Sequence, residues 1–130
     1  MRIFKTKWFA REASSQGISD DEVYQAIQSA LQGKVVDLGG GVYKKRLNKN
    51  RDRAIILTKS AEYWFYTFLY AKQDMANINH RELMGFRELA KHYANLSEDL
   101  STVLLISTEL VEIWDVSKKL IQNPGFRSDR

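Results

Sequence analysis

The side chains best equipped for chemistry are basic and lie close together: Lys44, Lys45, Arg46, Lys49, Arg51, Arg53, Lys59 and Lys72. Only Asp52 and Glu62 oppose them between Gly41 and Lys72, so that stretch carries +6. Cations at this density, interleaved with Tyr66 and Tyr70, suit the grip of a phosphate backbone, and RNA is the leading candidate partner. Two-residue alternation puts Lys44 and Arg46 on one face of a strand and Lys45 on the other, with Tyr43 and Leu47. Arg53 opens the next strand, and Tyr66, Tyr70 and Lys72 share a face of the third. In suitable registers Lys44, Arg46, Arg53, Tyr70 and Lys72 therefore converge on one concave surface, flanked by Lys45, Lys49, Arg51 and Tyr66 as RNA contacts. Cleaving RNA without a metal needs a base for the 2′-hydroxyl, cations for the charge growing on phosphorus, and an acid for the departing 5′-oxygen. The planar fork of Arg suits the middle task, a lysine crowded by other cations loses its proton more readily, and Tyr or a second Lys supplies the acid.

Each of these features has a structural reading beside the chemical one. Basic hairpins are often solvated faces, or edge strands protected from unwanted pairing. Trp64, Phe65 and Phe68 read as core, while the polar tips of Tyr66 and Tyr70 leave those two open to contact with a ligand. His80 and His92, twelve positions apart, match no compact metal motif and read as surface or satisfied core residues. Gly39-Gly40-Gly41 lacks the Lys-Ser/Thr of a phosphate-binding loop and reads as a tight turn where side chains would clash. Asp20-Asp21 and Glu98-Asp99 sit in first helical turns, where carboxylates complement the helix dipole. There is no cysteine nucleophile, no Gly-x-Ser-x-Gly elbow and no call for a metal or cofactor.

The elements that must hold this surface follow from periodicity and punctuation. A strand is expected at Arg2 to Thr6, and a helix from Lys7 to about Ser15, stopped by Gly17. Ser19 with Glu22 forms a capping box, and Val23, Ala26, Ile27, Ala30 and Leu31 carry a second helix to Gly33. Strands are predicted at Val42 to Leu47, Arg53 to Thr58 and Tyr63 to Ala71, joined by turns at Asn48 to Asp52 and Lys59 to Glu62. The last strand is apolar on both parities, as a central strand should be. Asn79 with Glu82 caps a helix running to about Ala94, Ser97 opens another, Leu110 to Trp114 reads as a short strand, and Val116 to Gln122 as a helical turn. The expected fold is α+β: one compact domain over residues 1–122, with helices on a curved, mainly antiparallel sheet, and a loose tail at 123–130.

Whole-chain quantities set the outer limits. The 130 residues carry a net charge of +4, but unevenly: residues 1–40 are balanced, 41–72 carry +6, 73–115 carry −5 and 116–130 carry +3. The molecule is electrically lopsided. Absence of cysteine excludes disulfides and thiolate metal sites. No apolar stretch reaches the roughly 20 residues of a membrane span, and no apolar leader follows the charged first residues, so a cytoplasmic protein is expected.

Met1-Arg-Ile-Phe-Lys-Thr-Lys-Trp-Phe9, Gly39-Gly-Gly-Val-Tyr-Lys-Lys-Arg46, Arg53-Ala-Ile-Ile-Leu57, Phe68-Leu-Tyr-Ala-Lys72 and Asn77-Ile78, in this order, resemble the RelE-like toxins of bacterial toxin-antitoxin modules. The resemblance covers about residues 1–114 and is closest to the phage-associated, HigB-like branch. It implies a ribosome-dependent endoribonuclease that cuts mRNA in the decoding site, and a cognate antitoxin, expected to be a helix-turn-helix protein. It assigns Lys44 and Arg46 to base or phosphate contact, Arg53 to transition-state charge, and Lys72 with Tyr70 to the end of the third strand. Two departures stand out: the compact turn Asn48-Lys-Asn-Arg-Asp52 replaces a longer glycine-rich one, and Gln73 follows the lysine where RelE has arginine. The competing functions are inhibition of DNA gyrase by the same fold, as in the ParE branch, and noncatalytic RNA binding.

Overall fold

Each of the first two helices begins where a hydroxyl satisfies a free backbone N–H. In the computed structural model, which describes residues 2–59, 62–75, 78–94 and 110–113, strand β1 (Arg2–Thr6) runs directly into helix α1 (Lys7–Ser15). The Thr6 hydroxyl accepts from Phe9 N at 3.1 Å and donates to the Thr67 carbonyl at 3.1 Å, so one side chain starts the helix and ties it to the sheet. Helix α2 (Asp20–Leu31) starts at Ser19, whose Oγ accepts from Glu22 N, with Asp20, Asp21 and Glu22 in its first turn. Gly17 and Gly33, both at positive φ, follow the two helices.

The remaining elements are β2 (Val36–Gly39), β3 (Val42–Leu47), β4 (Asp52–Lys59), β5 (Tyr63–Ala71), the single turn α3 (Lys72–Met75), α4 (His80–Ala94) and β6 (Leu110–Ile113). They form a six-stranded sheet in the order β2-β3-β4-β5-β1-β6, in which β1 pairs parallel to β5 and every other pair is antiparallel. The α+β class expected from the sequence is the one observed. The helix predicted from Ser97, the turn at Val116 to Gln122 and the tail at 123–130 lie outside the described residues.

Two apolar cores sit on opposite faces of the sheet. Phe9, Ala13, Val23, Ala26 and Ile27 from α1 and α2 pack on Ile3, Ile56, Trp64 and Tyr66. Phe86 and Ala90 from α4 pack on Phe4, Ile55, Leu57 and Phe65. Burial of each of the larger rings contributes about 2 kcal/mol, and Phe65 is stacked between Phe4 at 5.3 Å and Tyr93 at 4.5 Å. Covering on both faces explains the unbroken apolar run of β5.

A bulge in β5 sets which side chains face which helices. Ile55 pairs with Phe68 and Ile56 with Tyr66, leaving Thr67 as the extra residue, its hydroxyl donating to the Ile55 carbonyl at 3.0 Å. Before the bulge Trp64 and Tyr66 face α1 and α2; after it Phe68 and Tyr70 face α4.

Strand β2 was not expected. It is short, half exposed and ends in glycine, so it carries neither length nor alternation by which a strand is read. Gly39, Gly40 and Gly41 turn it into β3 with φ of +85°, +65° and +82°. A Cβ on Gly40 would lie 2.8 Å from Arg87 Cγ, which bears out the reading of a turn closed to side chains. Arg87 in turn donates through Nη2 to the Leu38 carbonyl and through Nε to that of Gly39, anchoring the hairpin to α4.

Candidate active site

The register of three strands builds one row of polar side chains. Arg46 lies opposite Arg53, and Arg53 opposite Tyr70; one step along, Lys44 lies opposite Ile55, and Ile55 opposite Phe68. Ile55, Phe68 and Tyr70 belong to the α4 side of the sheet, so Lys44, Arg46, Arg53 and Tyr70 share that face. Like charges directly across a strand pair are unfavourable by roughly 0.2–1 kcal/mol. Among the described residues Lys44, Arg46, Arg53 and Lys72 make no ion pair, whereas Arg2 is bound to Glu112 and Lys5 to Asp20. An anion on this face relieves the repulsion.

Local bonds fix the members of the row to different degrees. Arg53 Nη1 donates to the carbonyls of Asn50 and Asp52, both at 3.1 Å, which orients the guanidinium while leaving its other nitrogens available. Arg46 is exposed and Lys44 half-buried. Tyr70 is half-buried, and its phenol is held above the ordinary tyrosine value first by burial and then by the charge of Glu82 on α4. It keeps its proton at neutral pH. Lys72 starts α3 rather than ending β5; its N–H donates to the Arg51 carbonyl at 3.2 Å, bringing its exposed side chain to the β3–β4 turn end of the sheet.

The flanking residues divide. Lys45 points to the α2 side, as alternation required, and its Nζ donates to Ser29 Oγ at 3.1 Å. Burial, followed by the charges of Arg46 and Lys34, lowers its ammonium pKa. Lys49 is exposed at the tip of the β3–β4 turn. Arg51 reaches across to Gln16 Oε1 at 2.9 Å and lines a groove with Trp8, Asp52 and Tyr70.

Tyr66 is corrected by the structure. Expected as an RNA contact, it is fully enclosed beneath α2, and its hydroxyl donates to the Val23 carbonyl at 2.9 Å. The Thr67 bulge is the cause: it breaks the alternation that was expected to place Tyr66 and Tyr70 on one face.

The turn carrying Lys49 is built on three consecutive left-handed residues, Asn48, Lys49 and Asn50, with φ of +56°, +54° and +70°. Asparagine tolerates this conformation; lysine does so at a cost. Asn48 holds the turn, its N–H donating to the Glu22 carboxylate and its Nδ2 to Asp52 Oδ2 at 2.8 Å. Asp52 is only 5% exposed and acts as the turn's internal anchor.

Sequence reasoning passed over two residues that the fold brings to Lys44. A cavity of about 630 Å³ beside the row is lined by Lys34 and Val36 together with Lys44, Lys45, Arg46 and Arg53. It opens where β2 begins: Val36, the first residue of β2, pairs with Lys44, and from Lys45 onward β2 no longer covers the outer edge of β3. His80, at the start of α4, lines a smaller cavity that also contains Lys44. The signal for Lys34 was the β2–β3 hairpin, hidden by the glycines; for His80 it was the Asn79 cap, which fixes where α4 meets the sheet. That cap is present, with Asn79 Oδ1 accepting from Glu82 N at 2.8 Å.

Among the described residues no three His, Cys, Asp or Glu side chains gather as a metal-binding group, and no helix is long and apolar enough to cross a membrane. A comparison with curated proteins returns no match. A family model does match: the RelE toxin of the RelE/RelB toxin-antitoxin system aligns with residues 1–113, which include β1, the basic hairpin, all of β5 and β6. This chain therefore belongs to the RelE family of toxin-antitoxin toxins.

Proposed function

We propose that this toxin is a ribosome-dependent endoribonuclease of the HigB-like branch, which cuts mRNA by metal-independent attack of the 2′-hydroxyl and so stops translation. The observation that carries the reading is the row Arg46-Arg53-Tyr70 with Lys44 beside it: cations free of acidic partners next to a protonated phenol. Membership of a toxin-antitoxin family supports it, because RelE toxins are endoribonucleases of this kind and each has a cognate antitoxin. Here we take that partner to be a helix-turn-helix protein and the site of action to be the ribosome in the cytoplasm.

In this reading Lys44 accepts the 2′-hydroxyl proton as general base. The 2′-oxygen attacks phosphorus while Arg53, oriented by the Asn50 and Asp52 carbonyls, and Arg46 hold the nonbridging oxygens as their charge grows. The bond to the 5′-oxygen breaks and Tyr70 supplies the proton that this oxygen takes up. The products are a 2′,3′-cyclic phosphate and a 5′-hydroxyl. Lys72 joins Arg53 and Arg46 at the scissile phosphate, and Lys45, Lys49 and Arg51 hold flanking phosphates.

Pure protein added to a cell-free translation reaction, with mRNA 5′ ends mapped, tests this directly. New 5′ ends within codons are expected. Arg53→Ala and Lys72→Ala should each lower cleavage by about 10²-fold or more while the fold and antitoxin binding persist. Intact mRNA alongside failing DNA supercoiling would move the activity to gyrase, and full activity of Arg53→Ala would displace the site from this face.

A further inference from the structure

The larger cavity gathers more positive charge than the row beside it. Its volume of about 630 Å³ is lined by Lys34, Lys44, Lys45, Arg46 and Arg53, and no carboxylate lines it. Lys34 stands between α2 and β2, and Lys45 lies on the opposite side of β3 from Lys44. The cavity therefore reaches around the edge of β3 that β2 leaves open from Lys45 onward. Five cations facing one space attract a small phosphate-bearing anion.

Of the three lysines, Lys45 is the one whose nitrogen is held: Nζ donates to Ser29 Oγ on α2 at 3.1 Å. Half-buried there, and beside Arg46 and Lys34, it gives up its proton more readily than an ordinary lysine. The neutral amine makes that bond with one N–H and keeps its lone pair for a bond to carbon. A lysine so placed is a nucleophile.

We propose that Lys45 is a modification site: the cavity takes up the phosphate end of a small acyl phosphate, and the Lys45 amine receives its acyl group. The nitrogen lone pair attacks the acyl carbon, the bond from that carbon to the phosphate oxygen breaks, and inorganic phosphate leaves with the electron pair. The proton lost from nitrogen ends on the phosphate, and nothing is oxidised or reduced. The product is an uncharged amide. On the RNA-cleaving reading, on which this consequence rests, acylation removes one of the cations that hold flanking phosphates and so attenuates the toxin.

The full chain incubated with acetyl phosphate, with peptide mass spectrometry following each lysine in time, tests the proposal. Lys45 should be acetylated about tenfold or more faster than the exposed Lys7 and Lys91, and ahead of Lys34 and Lys44. Acetic anhydride carries no phosphate, so with it the preference for Lys45 should shrink by about threefold or more. Lys34→Ala, at an exposed position, should slow Lys45 acetylation by acetyl phosphate about threefold or more and leave Lys7 and Lys91 unchanged. Acetylation of Lys45 no faster than of Lys7, or Lys44 modified first, overturns the site. An equal preference with the anhydride, or an unaltered Lys45 rate in Lys34→Ala, overturns the part given to the cavity. Lys45→Gln, which mimics the neutral amide, should make the salt dependence of RNA affinity shallower by about 0.7, and an unchanged slope would overturn the attenuation. Labelling is read without RNA, so its failure and that of the cleavage reading are told apart.

Discussion

Tyr66 and Tyr70 lie four residues apart on one strand and are put to opposite uses by a single inserted threonine. Tyr70 stays at the surface row, whereas Tyr66 is enclosed and bonded to the Val23 carbonyl. Burial, with the charge of Glu22 second, raises the Tyr66 phenol far above its ordinary value of 10.0, and burial with Glu82 raises Tyr70. A raised folded value means that the folded state holds its proton more tightly than the unfolded chain does. The associated stability is complete below about pH 10 and is lost as pH rises through the unfolded value towards the folded one. Urea unfolding at a series of pH values should therefore show stability falling above about pH 10. Tyr66→Phe should cost about 1 kcal/mol at neutral pH, through the lost hydrogen bond, and flatten the alkaline decline. An unchanged decline in that variant would shift its cause to other groups.

Among the elements, the β3–β4 turn carries the clearest local strain. Lys49 occupies a left-handed conformation between two asparagines that accept it more easily. Lys49→Gly should stabilise the fold by about 0.5–1 kcal/mol, the relief of strain being partly offset by the greater freedom of glycine when unfolded. A lowered urea midpoint would contradict this. The same turn shows how much of the fold the sequence carried. β3, β5, α1, α2 and α4 were legible because each carries its own signal: the stop at Gly17 after α1, Ser19 before α2, Asn79 before α4, alternation along Val42 to Leu47 and the unbroken apolar run of β5. β2 and α3 were not, since both are four residues long and their order comes from pairing and from the bond to Arg51 rather than from their own side chains. The row of Lys44, Arg46, Arg53 and Tyr70 was legible because adjacent hairpins preserve parity. Tyr66 was misplaced because a bulge leaves no mark in the pattern when Tyr, Thr and Phe fit either face.

At the scale of the molecule, charge is sorted along the chain and the sheet converts that order into a face. The +6 stretch becomes β3, β4 and β5, and the −5 stretch that follows contributes α4, with Glu82 close enough to act on Tyr70. On the proposed reading Arg46, Arg53, Lys72, Lys45, Lys49 and Arg51 each neutralise about one phosphate, so the logarithm of RNA affinity should fall with the logarithm of salt at a slope of about −4. Lys72→Ala should make it shallower by about 0.7. A slope near zero would point to binding without phosphate contact. The strand order has a further consequence, for the time at which this face comes into being. β3, β4 and β5 follow one another and pair through short turns, but β1, which leads the chain, fits between strands that come much later, with Arg2 opposite Tyr63 and Thr6 opposite Leu110. Loop closure makes such distant pairings slow. During synthesis the basic hairpins can form while β1 still waits for its neighbours, so the complete six-stranded sheet is the last part of this toxin to assemble.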